Sequence, residues 1–199
     1  MTKAQGRRRG AGLEHAIYEA VFAELAEVGY GRLTIDGVAA RAGAGKASLY
    51  RRWASKDALV LDAIEYKGPE LRADPVDTGE LRTDLIQLLS RLADTMAKPI
   101  GRALYATILE MKLVHRQHSE TAAAVIDTLL EPRMQAIMAA MRAGARRGEA
   151  RPAAVSELLV RVGPALVIQQ LLQFGMPPSE AEITDIVDQV LLAALRKDS

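Results

Sequence analysis

Residues 33–59 hold two short amphipathic stretches joined by nothing longer than Gly43-Ala44-Gly45, and so tight a connection makes them neighbours in space. In the first stretch Thr34 is placed to cap a helix and Asp36 lies in the first turn, where a negative charge complements the helix dipole. Ile35, Val38 and Ala39 face inward, and Gly43 supplies a left-handed stop. The second stretch opens at Lys46, with Leu49 and Trp53 four residues apart on one face and Ser48, Arg51 and Arg52 elsewhere around it. Two short helices around a glycine turn read as a helix-turn-helix. Ahead of them Leu13, Ile17, Val21, Leu25 and Val28 recur at helical spacing until Gly29-Tyr30-Gly31, which predicts helix 1 from Leu13. Behind them Ser55 caps a fourth helix with Asp57 in its first turn, and Gly68-Pro69 is expected to end it.

The remainder lacks the alternation of a strand and is punctuated by proline and glycine. The spacing predicts helices at roughly 78–98, 100–114, 119–145, 153–174 and 179–196, with Pro132 and Pro164 each kinking or dividing the helix that contains it. The expected fold is all-α, a small N-terminal domain followed by a larger helical one, with helix 4 as the joint. Residues 1–12, polar and glycine-bearing, read as a flexible basic arm.

Composition narrows the function. With 49% hydrophobic and 26% charged residues the chain is no disordered tail, and no apolar run approaches the ~20 residues that span a bilayer. The N-terminus lacks the apolar core of a secretory signal, so the expected compartment is the cytoplasm and no membrane partner is expected. Without cysteine there is no thiolate chemistry, and three histidines leave little for a metal; neither cofactor nor metal site is expected. No nucleophile elbow, phosphate-cradling loop or catalytic constellation is present either, so the chain does not read as an enzyme. The net charge of +1 conceals a division: residues 1–56 carry 10 Lys and Arg against 5 Asp and Glu, and residues 57–199 carry 16 against 20. A basic head on a mildly acidic body points to a polyanion met by the head alone.

The second helix of the pair suits a DNA major groove. Gly45 and Ala47 are small enough to let the backbone close in, Lys46 and Ser48 reach base edges, and the Ala47 methyl fits against a thymine methyl. Thr34, Tyr50, Arg52 and Lys56 are donors suited to phosphate oxygens. Leu49 and Trp53, by their shared face, belong to the core, and Arg41 reads as a solvated helix charge. Arg7, Arg8 and Arg9 suit either a solvated tail or an arm in an adjacent minor groove.

From Leu33 to Leu59 the chain resembles the TetR family of bacterial transcriptional regulators. The shared features are Thr34 opening helix 2, Ala-Arg-Ala-Gly at 40–43 in the turn, Lys46-Ala47-Ser48-Leu49-Tyr50 on the recognition helix, an aromatic at Trp53, and Ser55-Lys56 with Leu59 opening helix 4. The resemblance implies a homodimeric, Ω-shaped repressor whose divergent C-terminal domain binds a small molecule and then lets go of its operator. It assigns residues 13–55 to DNA binding and 56–199 to ligand binding and dimerisation. It places Lys46, Ala47 and Ser48 at base-reading positions and Thr34, Tyr50, Arg52 and Lys56 at backbone-contacting ones. Two departures stand out: Arg52 where many members carry His, and Trp53 in place of the usual Phe, which demands a wider slot in the core.

The last two predicted helices, near 153–174 and 179–196, are apolar around more of their circumference than one buried stripe requires, which suggests a symmetric four-helix dimer interface and a palindromic double-stranded operator. A pocket between the middle helices would draw on Met96, Tyr105, Met111, Met134, Met138, Met141, Gln169 and Phe174, with Tyr105 and Gln169 as its polar groups. Met134, Met138 and Met141 equally fit an ordinary core stripe. Scarcity of aromatics favours an apolar or amphipathic effector over a stacked ring. His115 and His118 read as surface residues, not metal ligands. The alternative function is an architectural, ligand-independent DNA-binding protein.

Overall fold

The structure is a computed structural model that describes the backbone of residues 3–71, 74–114 and 118–196, and the side chains of residues 12–68, 74–114, 118 and 120–196. The described residues are helical and contain no strand. In chain order the helices are α1 (Lys3–Arg32), α2 (Ile35–Ala42), α3 (Lys46–Arg52), α4 (Lys56–Leu71), α5 (Leu81–Ala97), α6 (Pro99–Leu113), α7 (Ser119–Leu129), α8 (Glu131–Arg147) and α9 (Glu157–Phe174). The last, α10, runs Glu180–Asp185, passes through a π-helical stretch at Ile186–Leu191 and ends with Leu192–Leu195.

Packing divides the chain into two compact units. The first comprises Met1–Glu70 with Pro99–Thr128, and the second Leu71–Lys98 with Leu129–Ser199. In the first unit α1 lies against α2 and α6, and α2 against α3. The helix-turn-helix therefore shares its unit with α4, α6 and α7. Its centre is apolar: Ile35, Val38 and Ala39 from α2 and Leu49 from α3 are buried, as is Trp53 just beyond. The local signals act as their residue types require. Thr34 Oγ1 accepts from Gly37 N at 3.0 Å and caps α2, while Gly43 closes it with φ 63°. Gly29 interrupts α1 at φ 76°, ψ 169°, a conformation that a side chain would strain, so Tyr30–Arg32 turn away before α2.

In the second unit α5 lies against α8, α9 and α10, and α8 against α9. The N-terminus of α5 is tied to the end of α8 by Glu149, which accepts from Leu81 N at 2.7 Å. Asp84 is fully buried yet matched, taking Thr78 N and Oγ1 at 2.7 Å each and Arg147 at 3.4 Å. Buried Ile183, Val187, Leu191 and Leu195 step by four along α10. A strict step of four overshoots an α-helical face by about 40° each time, and the wider π turns absorb the excess.

Two boundaries differ from expectation, and the two prolines expected to kink or divide a helix behave differently from each other. Helix α1 begins at Lys3, not Leu13, because Ala4, Gln5 and Arg7–Arg9 are good helix formers; the side chains of the basic segment lie outside the described residues. Helix α4 passes Gly68-Pro69 and ends at Leu71, since a proline in the last turn forfeits only one intrahelical bond. Pro132 does divide the 119–145 span, standing in the first turn of α8, where buried Arg133 donates to the freed end of α7 at Leu129 O, 2.6 Å. Pro164 does not divide α9, which runs unbroken from Glu157 to Phe174 once a short 3-10 turn at Pro152–Ala154 has passed.

Candidate nucleic-acid interface

Helix α3 is seven residues long and keeps only Leu49 inside. Lys46, Ala47, Ser48, Tyr50, Arg51 and Arg52 are all exposed, as is Gly45 before them. One seam of the helix is apolar and anchored, and everything else faces outward.

Lys46, Arg52 and Lys56 are each held in a network of their own. At the start of α3, Lys46 Nζ lies 2.6 Å from Asp36 Oδ2, with Tyr50 one turn further along the helix. The Lys46 ammonium holds the Asp36 carboxyl below the usual aspartate range. At the other end Arg52 pairs with Glu14, donates to Tyr18 Oη at 3.2 Å and stacks 4.6 Å from the Trp53 ring centroid. Tyr18 Oη lies 2.9 Å from Asp62, which also accepts from Trp53 Nε1 at 2.8 Å. Burial first, then the Asp62 and Glu14 carboxylates, pushes the Tyr18 hydroxyl well above its ordinary pKa, so it remains a donor. Arg41, expected as a solvated charge, is instead paired across to Glu24 at 2.7 Å and to Glu27.

The third network grips the turn between α1 and α2. Lys56 Nζ donates to Tyr30 O at 3.0 Å and Gly31 O at 3.3 Å, and sits 4.2 Å from the centre of the Tyr30 ring. Glu110, on α6, accepts from the backbone N–H of Tyr30 at 2.8 Å and of Gly31 at 2.9 Å. Asp57 takes the Tyr30 hydroxyl on Oδ1, with His118 Nδ1 at 2.7 Å and Thr121 Oγ1 at 3.1 Å from Oδ2. Burial raises the Asp57 carboxyl, but the combined bonds from Tyr30, His118 and Thr121 outweigh it and hold the group below its ordinary value.

A carboxyl lowered by folding contributes stability that is complete above its unfolded pKa, ~4, and is lost as pH falls through the folded value. The melting temperature of the wild type is therefore expected to fall between pH 5 and pH 3 more steeply than that of Asp57→Asn. Parallel acid limbs in the two proteins would count against this role for Asp57.

Two family profiles match the chain. Residues 17–63 match "Bacterial regulatory proteins, tetR family", and residues 75–190 match "Tetracyclin repressor-like, C-terminal domain". The chain belongs to the TetR family. An HTH-type transcriptional regulator of Mycobacterium tuberculosis is 34% identical over 176 residues, 88% of this chain and 84% of the relative. The DNA-binding transcriptional repressor TetR of Mycobacteroides abscessus is 31% identical over 194 residues, 97% of either chain. Among solved structures, the TetR family transcription regulator SCO0332 is 28% identical with a TM-score of 0.64, covering 93% of this chain and 99% of its own. The Flavonoid-responsive Regulator FrrA, 18% identical, shares the fold with a TM-score of 0.69 over 94% of this chain and 98% of its own.

For this TetR-family regulator the residues expected to line a pocket are drawn from both units. Tyr105 and Met111 belong to the first unit, and Met96, Met134, Met138, Met141, Gln169 and Phe174 to the second. Met96, Met111 and Met141 are buried in the packing itself. Tyr105 is half-buried, and burial raises its hydroxyl pKa. Gln169 and Phe174 are both exposed on α9, where the Gln169 amide bonds Gln173 one turn along. Periodicity could not show this, because α9 is apolar on more than one face. Met134 and Met138 line an open cleft of about 580 Å³ between α8 and α9, with Gln135, Arg142, Val160 and Arg161 on its walls.

His118 is half-buried against Asp57, not a free surface residue, and His115 lies outside the described residues. No group of three or more His, Asp or Glu among the described residues could hold a metal ion, and no helix among them is long and apolar enough to cross a membrane.

Asp36, Glu110 and Asp57 went unnoticed as partners of the interface. Asp36 and Asp57 are visible in sequence only as first-turn acids. Nothing local links Glu110 to a turn some eighty residues away.

Proposed function

We propose that this regulator is a homodimeric repressor that reads a palindromic operator with α3 of each protomer and is released when a small molecule occupies its C-terminal domain. The observation that carries the DNA half is the outward face of α3: Lys46, Ala47 and Ser48 exposed in its first turn, with Leu49 holding the helix to the core. Lys46 and Ser48 read base edges and the Ala47 methyl reads thymine. Thr34, Tyr50, Arg52 and Lys56 position the phosphates. Thr34 keeps its hydroxyl proton for this while its oxygen caps α2, and Lys56 keeps one of three ammonium protons.

Dimerisation is supported by apolar residues left uncovered on α9 and α10: Leu158, Leu172 and Phe174 are 76%, 63% and 62% exposed, and Val190 is 37% exposed. A relative matching 97% of the chain is named a repressor, and a structural neighbour is named flavonoid-responsive. The effector here is an apolar or amphipathic small molecule, with the Met134–Met138 cleft as the described surface best suited to take one. The site of action is the cytoplasm.

The test is selection of random duplexes by the purified protein, with sedimentation at micromolar concentration alongside. A palindromic consensus bound by a dimer is expected; binding without enrichment would favour the architectural reading, and a monomer would remove the palindrome. On the consensus, Lys46→Ala or Ser48→Ala is expected to lower affinity about 10- to 100-fold and to relax preference at one base pair. Uniform weakening across all sequences would reassign these residues to phosphate.

A further inference from the structure

Asp36 stands in the first turn of α2, yet its carboxylate serves α3. The cap of α2 is already Thr34, so Asp36 is not needed to satisfy Gly37 N. Its Oδ2 instead takes the Lys46 ammonium at 2.6 Å. One acid thus occupies a base-reading donor in the free protein. Its other oxygen, Oδ1, is buried without a hydrogen-bond partner. An ion pair on an open surface contributes little to folding, and a dry carboxylate oxygen opposes it, so fold stability is a poor account of this arrangement.

We propose that Asp36 is a specificity-determining positioning residue that keeps Lys46 off the phosphate backbone until a base edge competes for it. A phosphate on arbitrary sequence offers Lys46 a single acceptor, and taking it means giving up the one it already holds on Asp36 at 2.6 Å. Guanine O6 and N7 offer two acceptors together in a groove from which water has been displaced, and they win the ammonium. Non-cognate DNA therefore meets an α3 whose first cation is neutralised. Cognate DNA meets it released. Arg51, exposed on the same helix, has no such acid against it among the described residues and makes its contribution on every sequence alike. The inference rests on the reading of α3 as the groove-entering helix.

The test measures binding of the full-length wild type, Asp36→Asn and the double variant Asp36→Asn/Lys46→Met to the selected consensus and to a random duplex across a salt series. Each phosphate neutralised adds ~0.9 to the slope of log affinity against log salt. Asp36→Asn is expected to bind random duplex about tenfold more tightly at low salt, with a slope steeper by ~1.8 because each protomer of the dimer frees one Lys46, and so to lose discrimination. Adding Lys46→Met should return that slope to the wild-type value, which a merely structural role for Asp36 would not do. Asp36→Ser provides the same reading should the asparagine variant fold poorly, as judged by its melting temperature. An unchanged slope on random duplex, or a steeper one that persists without Lys46, overturns the proposal while leaving the regulator reading intact. Failure of the wild type to bind either duplex overturns both.

Discussion

Trp53→Ala is expected to destabilise the DNA-binding head by about 3–5 kcal/mol, a large fraction of the ~5–15 kcal/mol that holds a typical domain together. Trp53 is only 4% exposed and closes α3, its backbone N–H bonding Leu49 O at 2.8 Å. Its indole N–H satisfies Asp62 at 2.8 Å, its edge meets Tyr18 at 6.2 Å between centroids, and its face carries Arg52. Alanine removes all three contacts and opens a cavity behind α3, the helix proposed to read the bases. Operator binding at 37 °C should fail together with the fold. Trp53→Phe, which restores the residue usual in the family, keeps most of the packing and gives up only the bond to Asp62, an expected loss of about 1–2 kcal/mol. Urea denaturation followed by near-ultraviolet circular dichroism reports on this single tryptophan in the wild type, and far-ultraviolet signal follows the variants. A midpoint for Trp53→Ala close to wild type would show that the core closes without the indole.

Gly144→Ala should be destabilising by about 2–3 kcal/mol, although alanine in a helix interior is ordinarily favoured over glycine by about 1 kcal/mol. A Cβ at position 144 would stand 2.7 Å from Leu81 Cδ2 and 2.9 Å from Leu81 Cβ. Leu81 cannot yield, because it is fully buried and its backbone N–H is bound to Glu149 at 2.7 Å. Helices α5 and α8 would have to part, loosening the centre of the second unit. Leu81→Ala, costly by itself at a fully buried site, removes Cδ2 and Cγ, so the losses from the two substitutions combined in one chain should be less than additive. Thermal unfolding decides the matter: a Gly144→Ala protein that melts above wild type would mean that propensity outweighs the clash.

Both variants separate what local pattern can show from what packing decides. Trp53 was legible as core from its spacing to Leu49, and the helix-turn-helix from Thr34, Gly43 and the short turn, because caps, left-handed glycines and apolar periodicity act within a few residues of themselves. Gly144 carried no such mark. In sequence it resembles a breaker, and only the approach of α5 makes it a contact. The same holds for the interface. The residue types on α3 were readable, but their partners were not: Asp36 on Lys46, Glu14 on Arg52, and the Tyr30 and Gly31 carbonyls on Lys56.

The sequence by itself determined the all-α class, the position of the helix-turn-helix and the division into a basic head and an acidic body. Those follow from propensity, hydrophobic period and charge count, which are properties of neighbours along the chain. Only the tertiary structure decided that Glu110 and Asp57 grip the turn ahead of α2, that the methionine stripe splits between core and cleft, and that Gln169 and Phe174 face outward. The physical reason is that a carboxylate's pKa, a methionine's surroundings and the room beside a glycine are set by atoms brought close in space from distant parts of the chain, and periodicity carries no record of which distant face will arrive.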